Sequence, residues 1–178
     1  MENTTRKTVT INLNIKEFMP TILWVLKARS TDKNRYQLNY LNIDDMGYCC
    51  TDGKRLHLCK DKSNLPAGLE NGLYNVIVAK DLIIFNPEEG TFPDYKAVIP
   101  TGLEKKLDIN LCDNKDSASL SIALVKIFRV FSTALNIDYL KDLSGYIWSI
   151  AKDDKQGSPT LFTSGDLLAI IMPLRIND

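Results

Sequence analysis

Three of the four cysteines and the only histidine fall close together, at Cys49, Cys50, His57 and Cys59. Such a set first suggests zinc. Adjacent Cys49 and Cys50, however, point to opposite faces of a strand, and the usual ligand spacing is absent. The better reading is reduced thiols packed as small hydrophobes. No nucleophile motif surrounds His57, and no glycine-rich phosphate loop occurs. Asp44-Asp45, Asp52 and Asp94 read as turn formers. The chain is therefore expected to be no enzyme, with no cofactor and no bound metal. The stretch that organises it is Cys50-Thr51-Asp52-Gly53-Lys54-Arg55-Leu56, where Asp-Gly between alternating apolar runs marks a hairpin.

With 178 residues, 44% of them hydrophobic, the chain can bury a real core. Its 22 basic and 22 acidic side chains cancel, which argues against coating nucleic acid by bulk charge. The polar start Met1-Glu2-Asn3-Thr4-Thr5-Arg6-Lys7 lacks an apolar signal region, and no run is suited to span a membrane. A cytoplasmic location is expected.

The alternation of Val9, Ile11 and Leu13 reads as a strand over 8–13. Asn14 and Glu17 resemble a capping box for a helix. That helix buries Ile15, Phe18, Met19, Ile22, Val25 and Leu26 and turns Lys16, Leu23, Trp24 and Lys27 outward. Pro20 should bend it or end its first segment. Residues 36–43 read as a strand, and 48–51 with 55–59 as the hairpin. Residues 61–72 read as a polar loop, 74–78 as a strand, and 82–85 as strand or short helix. Residues 87–90 read as loop. Further on, 107–111 reads as a strand, 113–116 as a turn, and 120–131 as strand-like with a helix left open. Asn136 is a candidate N-cap and Gly145 a candidate helix terminator.

An internal repeat emerges. Leu13-Asn14-Ile15-Lys16-Glu17-Phe18 recurs as Leu135-Asn136-Ile137-Asp138-Tyr139-Leu140. Each copy is preceded by a strand. Each is followed by an aromatic strand, an Asp-Asp turn (Asp44-Asp45; Asp153-Asp154) and a hairpin, the second turning at Ser164-Gly165-Asp166. Two βαβββ halves, about 8–101 and 102–178, predict one α+β domain with helices packed on one side of antiparallel sheets.

Three segments carry a family resemblance. Thr51-Asp52-Gly53-Lys54-Arg55-Leu56, Phe92-Pro93-Asp94-Tyr95-Lys96-Ala97-Val98-Ile99-Pro100 and Ile171-Met172-Pro173-Leu174-Arg175-Ile176 resemble, in order, three segments of bacterial DNA polymerase III beta sliding clamps. The likeness covers most of the chain from about Thr8, with large gaps. Family clamps are longer, with several similar domains, and no counterpart of the first domain is apparent here. Lys54 and Ala97 depart from the family pattern, where His and Arg are common.

The resemblance implies a DNA-clamp-like fold and a hydrophobic pocket that receives short peptides of replication or repair proteins. The carried-over positions are Thr51, Gly53, Arg55, Leu56, Pro93, Val98, Met172, Pro173 and Leu174. Their chemistry suits that role: the aliphatic members offer apolar surface, methionine adapts to varied ligands, and Thr51 and Arg55 can orient a peptide by hydrogen bonds. The resemblance also implies double-stranded DNA as a partner of a homo-oligomeric ring, met by Lys16, Lys27 and Arg29 through phosphates. Outward Leu23 and Trp24 fit a DNA-lined lumen poorly. The alternative is a DNA-independent peptide-binding adaptor that competes for clamp-binding motifs.

Overall fold

The computed structural model describes residues 6–12, 20–80, 82–103, 105–112 and 116–175. The chain forms two compact units, Met1–Gly53 with His57–Pro93 and Lys54–Leu56 with Asp94–Asp178. Each combines an antiparallel sheet with helices, so the fold class is α+β as the repeat pattern predicts. The capping pair Asn14 and Glu17, the first repeat string and the turn over 113–115 lie outside the described residues.

The first unit opens with β1 (Val9–Asn12) and α1 (Pro20–Leu26). It continues with β2 (Leu41–Asp44), β3 (Gly47–Thr51), β4 (Arg55–Cys59), β5 (Gly72–Val78) and β6 (Leu82–Glu88). Its strands follow the order β1-β6-β5-β2-β3-β4, with β4 contributing His57–Cys59 to this unit. Register is fixed by pairs such as Ile11↔Ile83, Val76↔Phe85 and Asn42↔Cys49. Leu41, Ile43, Tyr48, Leu58, Tyr74, Ile83 and Phe85 are buried, and Tyr74 meets Phe85 edge-on at 6.5 Å between ring centroids.

Several local expectations are corrected here. Residues 33–39 form a 3-10 helix rather than the start of a strand, and β2 begins only at Leu41. Asp32 holds that turn: its carboxylate accepts from the Asn34 N–H at 2.9 Å, and its carbonyl from the Arg35 N–H at 3.1 Å. A capped turn thus overrides the Tyr36/Leu38/Tyr40 alternation. Trp24, expected to face outward, is buried and stacks on His57 at 4.4 Å and 6°. Residues 82–88 settle as strand and take in Pro87, read above as loop. Pairing with β1 stops at Phe85, so Pro87 opposes Tyr74 of β5 alone, where the ring removes no second ladder bond.

In the second unit, β7 (Lys105–Asn110) precedes α2 (Ser117–Phe131) and α3 (Ile137–Lys141). β8 (Ile147–Lys152), β9 (Thr160–Ser164) and β10 (Leu167–Ile171) follow. The strands run β10-β9-β8-β7, aligned by Ala169↔Phe162, Ile150↔Phe162 and Ile109↔Trp148. Trp148 is fully buried between the edges of Tyr146 and Phe162, and its indole N–H donates to the Leu143 carbonyl at 2.7 Å.

Residues 120–131 are helix, correcting the strand-like reading. Leu120, Ala123, Ile127 and Phe131 are buried at helical spacing, whereas Ile122, Val125 and Val130, which gave the β-branched character, are exposed. Both ends are capped. Asp116 accepts from the Ser119 N–H at 2.8 Å and the Ser119 hydroxyl at 2.9 Å. Ser132, left-handed at φ 50°, returns its N–H to Phe128 at 2.8 Å. The N–H and hydroxyl of Ser119 hold the Asp116 carboxyl below its ordinary range. A depressed carboxyl stabilises above the ordinary value, and that contribution is lost as pH falls through the lowered one. Asp116→Asn should therefore flatten the acid limb of thermal stability, measured by circular dichroism melts from neutral to acid pH. Asn136 caps α3 as expected, accepting from the Asp138 N–H at 2.8 Å.

Candidate peptide-binding site

The carried-over positions divide between the units. In the first, Thr51 ends β3, and its hydroxyl accepts from the Gly53 N–H at 3.0 Å. Gly53 sits at φ 84°, the positive value that the Asp-Gly turn requires. Pro93 is exposed at the end of that unit. Arg55, Leu56, Val98, Met172, Pro173 and Leu174 all belong to the second.

There the segment after β10 is tied down along its backbone. The Met172 N–H donates to the Lys54 carbonyl at 2.8 Å, and the Leu174 N–H to the Ala134 carbonyl at 2.8 Å. Pro173, with no N–H to satisfy, occupies the position between them. Holding alternate backbone groups in this way leaves the flanking side chains presented outward: Met172 is 38% exposed and Leu174 51%. Leu56 lies beneath the surface at 2% exposure.

Arg55 is held from α3. Its guanidinium pairs with the Asp142 carboxylate and lies over the Tyr139 ring at 4.4 Å. Tyr139 lies in α3 and Asp142, three residues on, is its C-cap, so one short segment supplies both partners. The stretch just before α3 supplies the Ala134 carbonyl, and Leu135 anchors that stretch in the interior. Ala134, Tyr139 and Asp142 were not among the site residues expected from the sequence. The i,i+3 spacing of Tyr139 and Asp142 was visible, but nothing tied it to a residue 87 positions away.

Val98 closes a 3-10 turn over Tyr95–Val98, in which Asp94 accepts from the Lys96 N–H at 3.2 Å. Tyr95 is buried, and Val98 is left 48% exposed. A short capped turn thus turns one apolar residue inward and offers another to solvent.

The basic candidates fare differently. Lys16 lies outside the described residues, and Lys27 is exposed just beyond α1. Arg29 is half-buried and donates to the Val76 carbonyl at 2.6 Å, which ties it into the first unit. His57 is wholly buried, with Nδ1 2.9 Å from the Trp24 carbonyl. Cys49, Cys50 and Cys59 are buried free thiols, and burial pushes the Cys50 thiol up. Among the described residues no group of side chains is placed to hold a metal ion, and no helix is long and apolar enough to cross a membrane.

No protein-family model matches the sequence. The chain is 28% identical over 149 residues to the beta sliding clamp of Rickettsia felis, covering 63% of this chain and 39% of that protein. Its fold matches the DNA polymerase III subunit beta of Pseudomonas aeruginosa with a TM-score of 0.62 at 15% identity, covering 94% of this chain and 66% of that one. It matches the Bacillus subtilis sliding clamp at 0.63 and 15%, covering 98% and 66%. A Bartonella birtlesii DnaN sliding clamp solved with griselimycin bound matches at 0.60 and 16%, covering 99% and 68%. The chain thus spans well under half of the curated relative and about two thirds of the solved chains. The chain is thus similar in sequence to part of a bacterial beta sliding clamp and shares the fold of part of the solved clamps.

Proposed function

We propose that this chain is a non-enzymatic clamp-like protein of DNA replication or repair, which binds short peptides of partner proteins on the surface of its second unit. The observation that carries this reading is the Met172-Pro173-Leu174 segment, pinned by its backbone to Lys54 and Ala134 while its apolar side chains face solvent. Binding sites need apolar area held in place together with a few fixed polar groups, and here Arg55 supplies such a group. Val98 adds an exposed apolar side chain, and Leu56 a buried floor. Thr51, Gly53 and Pro93 enter through the family resemblance. Ligand capture by the Bartonella clamp, seen there with griselimycin, is consistent with a binding role for this fold.

A DNA-independent adaptor is the second reading, and α2 favours it. Its outward side chains include Ile122, Val125 and Phe128, at 59%, 50% and 52% exposure, beside Lys126 and Arg129. A surface that tracks phosphates depends on Lys and Arg and not on an apolar stripe. Arg29 already serves the Val76 carbonyl.

Calorimetric titration with a short synthetic peptide bearing leucine and phenylalanine tests the main reading, and saturable binding is expected. Heat no greater than dilution across a panel of such peptides would contradict it. Duplex DNA titrated at rising salt, with mass in solution measured alongside, separates the two readings. Salt-dependent binding by a ring-sized oligomer supports the clamp, and a monomer that binds peptide alone supports the adaptor.

A further inference from the structure

We infer that Asp142 is a specificity-determining residue of the peptide surface: by neutralising Arg55 it makes the site select peptides with no carboxylate at the contacting position. The inference rests on the peptide-binding reading above. Arg55 directly follows Lys54, whose carbonyl accepts from the Met172 N–H, and it pairs with Asp142 at the end of the helix whose lead-in residue Ala134 accepts from the Leu174 N–H. Its side chain is 13% exposed and that of Asp142 26%. A guanidinium keeps its charge at any working pH, and partial burial leaves it little water.

Two partners, Tyr139 in α3 and its C-cap residue Asp142, meet that need. The Tyr139 ring covers one face of the guanidinium and the Asp142 carboxylate pairs with it. An arriving peptide carboxylate therefore meets an ion pair with no net charge, and it approaches Asp142 as a like charge. An uncharged side chain meets no such opposition. Lys54 and Arg175 are exposed nearby in sequence, so their cations lie on the solvated side, where screening weakens their influence. Asp142 thereby turns a cationic residue type into an element of a site for uncharged peptides.

The test uses the full chain and pairs of short leucine- and phenylalanine-bearing peptides, identical except for asparagine or aspartate at one scanned position. Wild type should bind the asparagine member of one pair about tenfold more tightly. Asp142→Asn should invert that preference at the same position, and Asp142→Glu should keep it. Should Asp142→Asn fail to fold, Arg55→Gln serves instead: it removes the positive charge that offsets the carboxylate and should weaken the aspartate peptide further. Binding of both members with equal affinity by wild type overturns the inference, as does an unchanged preference in Asp142→Asn or Arg55→Gln. Absence of binding to any peptide overturns the peptide-binding reading and this inference together. Equal affinity for both members in wild type, with binding retained, overturns only the latter.

Discussion

Gly47→Ala should destabilise the fold by about 2–6 kcal/mol. Gly47 begins β3 at φ 143°, and a Cβ there would lie 2.0 Å from the Cys59 carbonyl oxygen and 2.9 Å from the Lys60 Cα. Those are backbone atoms at the end of β4, so no side chain can rotate away. Relief requires the β3–β4 hairpin to shift, and with it the buried Tyr48, Cys49 and Leu58. Backbone strain of this kind costs about 1–3 kcal/mol, and forced overpacking of a close contact adds about as much again. Domains are stable by only about 5–15 kcal/mol, so the sum is a large share of the whole. Gly157→Ala is the matched control. It also has positive φ, at 80°, but nothing lies within 4 Å of its added Cβ. Urea melts of both should show a much lower midpoint for Gly47→Ala. Equal midpoints would show that strain at φ, and not the contact with Cys59, sets the cost.

The second large effect falls on binding. Replacing Met172 and Leu174 together by serine should leave the fold intact and weaken peptide affinity by about tenfold to a hundredfold. Both side chains face solvent, so their removal opens no cavity in the core. The backbone bonds to Lys54 and Ala134 do not depend on side-chain identity, so the segment should keep its course. What is lost is apolar area available to a ligand, worth about 25 cal/mol per Å² buried. Circular dichroism would check the fold and calorimetry the affinity. Wild-type affinity in the folded double variant would remove this segment from the site.

The hairpin was legible because its determinants are local. Asp52-Gly53 lies between short apolar runs, and Thr51 and Gly53 close the turn between themselves. The same holds for Asn136, whose cap needs only the residues that follow it. Residues 120–131 were harder. Ile122, Val125, Ile127 and Val130 carry β-branched character, while the helix depends on the Leu120, Ala123, Ile127 and Phe131 spacing and on the Asp116 cap. Propensity yielded there to burial and capping. Trp24 was turned the wrong way because its partner is His57 on a distant strand, a contact no local pattern encodes. The site divides in the same manner. The residue types of Met172-Pro173-Leu174 and Arg55 stood in the sequence with a family likeness to point at them. The Arg55–Asp142 pair and the Leu174–Ala134 bond arise only when the fold brings distant segments together.

The central claim is that the segment after β10 receives the peptide, and methionine-methyl NMR tests it most directly. The chain has four methionines, Met1, Met19, Met46 and Met172, which Met→Leu variants would assign. Met46 lies in the β2–β3 turn of the first unit, where its N–H bonds Asp44 at 2.8 Å, and it serves as the internal reference. As a leucine- and phenylalanine-bearing peptide is added, the Met172 methyl signal should shift and saturate with the calorimetric isotherm while Met46 stays in place. A peptide that binds by calorimetry yet leaves Met172 unmoved would contradict the account.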